Sequence, residues 1–140
     1  MLRAVVDPGV LLAAIITPEG TSGRLLRAAI DGQFEFVVSP MLLGELRRVL
    51  MRDKFRRYLS QNEASLAVRS LAELAELIAD PEPTPIGLCP DPKDDYLVAL
   101  ARHAEADYLV TGDRHLDGVT HPPVLRSSKF LELRVLRPPT

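Results

Sequence analysis

Four acidic positions lie far apart in the chain: Asp7, Glu45, the Asp94–Asp95 pair and Asp113. Each stands beside a predicted strand end or helix start. Asp7 follows the apolar run Leu2–Val6, Glu45 follows Ser39-Pro40, and Asp113 closes Leu109-Val110-Thr111-Gly112. Carboxylates so dispersed act together only if the fold gathers them. Gathered, they would offer hard oxygen donors to a divalent cation, and that donor set points to phosphodiester chemistry.

The elements predicted to position them alternate between strand and helix. Residues 2–6 read as a buried strand ended by Asp7-Pro8-Gly9, and 10–16 as a short helical turn. Thr21 or Ser22 can cap a helix running to about residue 30, with Leu25, Leu26, Ala29 and Ile30 as its apolar stripe. Residues 34–38 give a second strand. Ser39 then caps a helix with Pro40 at its first position, continuing with a 3.6-residue period to Leu50. A helix entered near Ser60 or Asn62 carries Leu66, Leu71, Leu74, Leu77 and Ile78. Residues 85–88 are a short strand or an extended connector. Asp91-Pro92 opens a helix to about residue 104, residues 108–110 form a strand, and 111–116 a loop. Residues 124–125 are a final strand and 127–133 a closing helix.

Strands separated by helices imply a parallel sheet covered on both faces, an α/β fold whose sites lie outside the carboxyl ends of the strands. Asp7 and Asp113 belong at that edge directly. Glu45 and Asp94 sit in early turns of helices leaving it. A helical period places Asp94 with Leu97, Val98 and Ala101, and Asp95 with Val98, Ala99 and Arg102. Asp94 is thus the better placed of the two for a metal, with Asp95 the second candidate. Asp91 reads as a helix cap.

A chain of 140 residues, 46% hydrophobic, suits one domain over residues 1–140. The single Cys89 excludes an internal disulfide and a multi-cysteine metal site. The apolar stretch at residues 10–16 is too short to span a bilayer and lacks the flanks of an export signal, so a cytoplasmic protein is expected. A net charge of −2 does not mark a general nucleic-acid binder. Its distribution is less even: Arg47, Arg48, Arg52, Lys54, Arg56 and Arg57 crowd one segment. That run reads as a solvated helix face, or as a phosphate-contacting rim beside the acidic site. On the second reading Arg47, Arg48 and Arg52 are candidate substrate contacts. Thr111 joins them, through a carboxylate or a bound water, unless it only caps a turn.

These residues resemble a known family. Val5-Val6-Asp7, Ser39-Pro40 with Gly44-Glu45-Leu46, Asp91-Pro92-Lys93-Asp94-Asp95 and the segment Ala106 to Asp113 are similar to the PIN-domain ribonucleases. The likeness is strongest to the VapC-like toxins of toxin–antitoxin pairs and covers nearly the whole chain. It implies a three-layer α/β/α sandwich whose clustered carboxylates bind Mg²⁺ or Mn²⁺ and cleave RNA. Family roles fall on Asp7, Glu45 and Asp113, and on either Asp94 or Asp95. A small antitoxin and a homodimer are the implied protein partners. One position departs: where the family has Asn or Ser two residues after the first Asp, this chain has Gly9. That change leaves a weak or inactive PIN-fold binding module as the alternative. It also disfavours an aspartyl phosphatase, which needs a second Asp there.

Overall fold

The computed structural model describes residues 1–83 and 85–135. Five strands form one parallel sheet: β1 (Arg3–Val6), β2 (Glu35–Val38), β3 (Glu76–Leu77), β4 (Tyr108–Val110) and β5 (Val124–Leu125), in the order β3-β2-β1-β4-β5. Six helices connect and cover them: α1 (Pro8–Ile16), α2 (Thr21–Ile30), α3 (Pro40–Leu50), α4 (Gln61–Leu74), α5 (Asp95–His103) and α6 (Ser127–Val135). The result is the expected three-layer α/β/α sandwich. Val5, Val37, Val38, Leu109 and Val110 are fully buried, as strands covered on both faces require. α1 packs on α2 and α3, α3 on α4, and α6 on α2, whereas α5 lies against β1 and β4.

The register fixes the site's edge. Val5 pairs with Val37 and Leu109, and Val6 with Val110, so β1, β2 and β4 end level with one another. The Asp7 amide donates to the Val110 carbonyl at 2.9 Å, carrying the pairing one residue past the end of β1.

Local chemistry then starts each helix. Asp7 is itself the N-cap of α1, with Pro8 at the first helical position, so the expected short turn at 10–16 is a nine-residue helix beginning two residues earlier. Ser39 caps α3, its hydroxyl accepting from the Leu42 amide at 3.2 Å, and Ser60 and Glu63 form a reciprocal capping box on α4. α2 has Gly20 at its N-cap and no side-chain cap, so neither Thr21 nor Ser22 fills that role.

The helix expected to run through Ile78 stops at Leu74. Glu76 and Leu77 instead pair with Val37 and Val38 as the edge strand β3. The leucine spacing continues smoothly across this break. Pairing with the open side of β2 overrides it, and Leu66, Leu74 and Leu77 are exposed. Residues 85–88 are an irregular connector.

Gly23 is a close-approach position. A Cβ there would stand 1.8 Å from the Pro18 carbonyl oxygen, because the start of α2 is pressed onto the turn leaving α1. Gly23→Ala should destabilise the protein by ~1–3 kcal/mol, the usual range for overpacking. A urea midpoint equal to wild type would refute this reading of the α1–α2 junction.

Candidate active site

At the carboxyl edge of the sheet lies a cavity of about 580 Å³ lined by Asp7, Glu45, Asp94 and Asp113. Pro8, Gly9, Ser22, Val49, Gly112 and Ser127 complete much of its wall. β1 and the cap of α1 deliver Asp7, and α3 delivers Glu45. A 3-10 turn at Pro92–Asp94, capped by Asp91, delivers Asp94, and the turn after β4 delivers Asp113. Among the described residues, no Lys, Arg or His lines this cavity.

Three of the four carboxylates are held by hydrogen-bond donors of their own. Asp7 Oδ1 accepts from the Gly9 amide at 2.7 Å, and Oδ2 from the Thr111 hydroxyl at 2.5 Å. The Thr111 oxygen accepts in turn from the Asp113 amide at 3.0 Å, so one hydroxyl ties two of the acids together. Asp113 Oδ1 accepts from the His115 amide at 2.9 Å and lies 3.0 Å from the His115 ring. The Tyr96 hydroxyl, on α5, donates to Glu45 across the site.

Their proton affinities reflect crowding. Burial raises Asp7 above the usual carboxylate range, the Thr111 and Gly9 hydrogen bonds oppose it, and Glu45 and Asp113 add repulsion. Asp94 is pushed up to about 6 by burial and by Asp113, Asp91 and Asp7. Asp113 is held low, chiefly by the His115 amide. Burial and the Glu45 carboxylate push the Tyr96 phenol upward, so it stays a donor.

The remaining candidates are separated by their surroundings. Asp95 does not line the cavity. It is 2% exposed, and its oxygens accept from the amides of Gly87, Leu88 and Cys89 and from the Cys89 thiol. Burial acts to raise its pKa, but these donors outweigh that and hold it below the usual range. Asp95 therefore fastens the 87–89 segment to α5, and the Cys89 thiol, pushed up to about 12 by burial and Asp95, is inert. Of the pair, Asp94, the candidate that helical periodicity favoured, is the one that lines the cavity, although it sits in the 3-10 turn just before the α-helical stripe begins. Thr111 is fully buried and engaged with Asp7 and Asp113, the contact to a carboxylate being one of the roles expected of it. Arg47 and Arg52 are exposed and outside this wall, whereas Arg48 borders a neighbouring cavity with Glu45. Sequence reasoning passed over Ser22, Ser127 and Tyr96, since a lone hydroxyl carries no spacing signal.

Hard oxygen donors of one charge sign, with no facing cation, suit a divalent metal ion. Among the described residues no three His, Cys, Asp or Glu side chains already form a ligand shell.

The PIN domain family model matches residues 3–115. The chain belongs to the PIN-domain family. An uncharacterized protein of Methanocaldococcus jannaschii, MJ1680, is 26% identical to this PIN domain over 115 residues, 82% of this chain and 73% of that protein. Among solved structures, PAE2754 from Pyrobaculum aerophilum matches with a TM-score of 0.66 at 14% identity, covering 97% of this chain and 91% of its own. VapBC2 from Rickettsia felis, solved bound to a DNA fragment from their promoter, matches with a TM-score of 0.62 at 12% identity, covering 89% and 98%. Both share the fold of this PIN domain.

Without metal, Asp94 binds its proton more tightly folded than unfolded. Its stabilising contribution is complete below the ordinary value of 3.8 and is lost as the pH rises through about 6. In chelator, wild-type melting temperature should therefore fall relative to Asp94→Asn between those two values. Parallel pH curves for the two proteins would contradict the raised affinity.

Proposed function

We propose that this PIN domain is a metal-dependent endoribonuclease, resembling the toxin of a toxin–antitoxin pair. The observation that carries the reading is the convergence of Asp7, Glu45, Asp94 and Asp113 on one cavity at the carboxyl edge of the sheet. Family membership agrees with it, since PIN domains are generally nucleases.

Asp7, Glu45, Asp94 and Asp113 would hold Mg²⁺ or Mn²⁺. Bound there, the cation supplies an activated water and neutralises charge on the scissile phosphate. The chain's own residues set the stage for this. Thr111 and the Gly9 amide fix both oxygens of Asp7 in direction, so that carboxylate loses little freedom on ligation. Tyr96 holds Glu45 and remains protonated, which keeps Glu45 oriented. None of the four acids has to act as a covalent nucleophile.

The partners follow the same reading: an RNA substrate, a small antitoxin protein and a second copy of the chain. Membrane attachment is not part of it, and no helix among the described residues is long and apolar enough to cross a bilayer. A cytoplasmic location accords with this proposal.

Gly9 favours a second reading, a weakly active or inactive binding module. Its backbone still serves the site, because the amide donates to Asp7. A Cβ at position 9 would meet Asp7 Oδ1 at 3.4 Å, an ordinary contact, so the missing polar side chain has room to be restored.

Purified protein should cleave a mixed single-stranded RNA pool with Mn²⁺ and stop with a chelator. Asp7→Asn should reduce the rate by at least the roughly 10–100-fold typical of losing a supporting group at a metal site, and Thr111→Val should fall within that range. Mn²⁺ binding by calorimetry should weaken in parallel. RNA left intact by wild type, with Asp7→Asn indistinguishable in Mn²⁺ affinity, would point to the binding module instead.

A further inference from the structure

Glu45 stands between two cavities of opposite character. On one side is the acidic cavity. On the other lies a second, of about 540 Å³, lined by Met41, Gly44, Glu45, Arg48, Lys93 and Tyr96. Both its basic side chains are exposed, and neither Arg48 nor Lys93 has a carboxylate partner among the described residues. Arg48 lies one turn beyond Glu45 on α3, and Lys93 immediately precedes Asp94 in the 3-10 turn. The two cations are thus supplied by the same two elements that supply two of the acids. Gly44 leaves the floor open, with nothing within 4 Å of where its Cβ would be.

Three other members of the basic run are differently engaged. Lys54 lies over the Phe55 ring, Arg57 over the Tyr58 ring, and Arg56 donates to the Leu50 carbonyl. Arg48 is the member of that run that borders a cavity adjoining the acids.

We infer that the cavity between α3 and the 92–94 turn is a subsite for a backbone phosphate of single-stranded RNA adjacent to the scissile one, held by Arg48 and Lys93. This rests on the nuclease reading above. A polyanion lying across Glu45 would place one phosphate over the acids and the next between two unpaired cations, and so fix the strand's position. The volume lies within the roughly 300–1,000 Å³ of cavities that enclose a drug-sized ligand, and the exposed Met41 adds an apolar surface for a base or sugar. An acidic protein segment would meet the same two cations, but its carboxylates would run on toward Glu45 and Asp94 with no metal-dependent attraction beyond. The strand is therefore the favoured occupant.

The test uses the full chain, with a mixed-sequence 12-nucleotide RNA for both cleavage in Mn²⁺ and fluorescence anisotropy in chelator. The Arg48→Ala/Lys93→Ala double variant should raise KM about tenfold, one charge-assisted contact's share of binding, while leaving kcat and Mn²⁺ affinity unchanged. The slope of log affinity against log salt should fall by about 0.7, the share of one phosphate on a single strand. Arg69→Ala, on α4, should do neither. A double variant with wild-type KM and salt slope would overturn the subsite even if wild type cleaves RNA. So would loss of affinity for a Glu-rich peptide with RNA binding untouched. If wild type fails to cleave, the nuclease reading fails, and the anisotropy slope still decides whether Arg48 and Lys93 hold RNA phosphate.

Discussion

Mutual repulsion among four carboxylates is the constraint around which the carboxyl edge of this molecule is organised. Left to themselves in one cavity, they would protonate or splay apart. The structure counters chiefly with hydrogen-bond donors, beside the His115 ring that lies 3.0 Å from Asp113. The Thr111 hydroxyl and Gly9 amide hold Asp7, the His115 amide holds Asp113, and Tyr96 holds Glu45. Neutral donors orient the acids without neutralising them. A site built this way keeps its attraction for an incoming cation, which an Arg or Lys on the same wall would have spent.

Those donors depend on the sheet. Thr111 reaches Asp7 because Val110 pairs with Val6 and the Asp7 amide continues the ladder to the Val110 carbonyl. A slip of one residue in that register would send the hydroxyl to the opposite face. The helices act at the same edge. Pro8 and Ser39 start α1 and α3 where β1 and β2 end, which sets Asp7 and Glu45 on neighbouring walls.

Much of this was legible before any coordinates. Strand-end acids such as Asp7 and Asp113 announce themselves, because an alternating chain puts the ends of parallel strands on one side. The site's supporting residues were harder to find. Tyr96 and Asp95 occupy adjacent positions in a helix whose inward stripe masks them, and only their hydrogen-bond partners, Glu45 on α3 and the 87–89 segment, separate a donor to Glu45 from an anchor for a loop. β3 was hidden for a related reason. The apolar spacing of α4 runs on into Leu77 and Ile78, and nothing local distinguishes a continuing helix from a strand recruited by the free side of β2. Where the sequence carries a periodic signal, a change of partner within that period is invisible.

At the opposite end of the strands, Arg3 joins three of them. Its guanidinium pairs with Glu35 of β2 and Glu76 of β3, its Nε donates to the Ala104 carbonyl, and its backbone amide donates to Asp107. The outermost strand it secures is two residues long and carries a charged side chain, a poor template for a further strand. Growth of the sheet from one molecule into the next is discouraged on that flank. Self-association on that side would have to use a surface other than the sheet edge, without extending the strands whose far ends carry the acids.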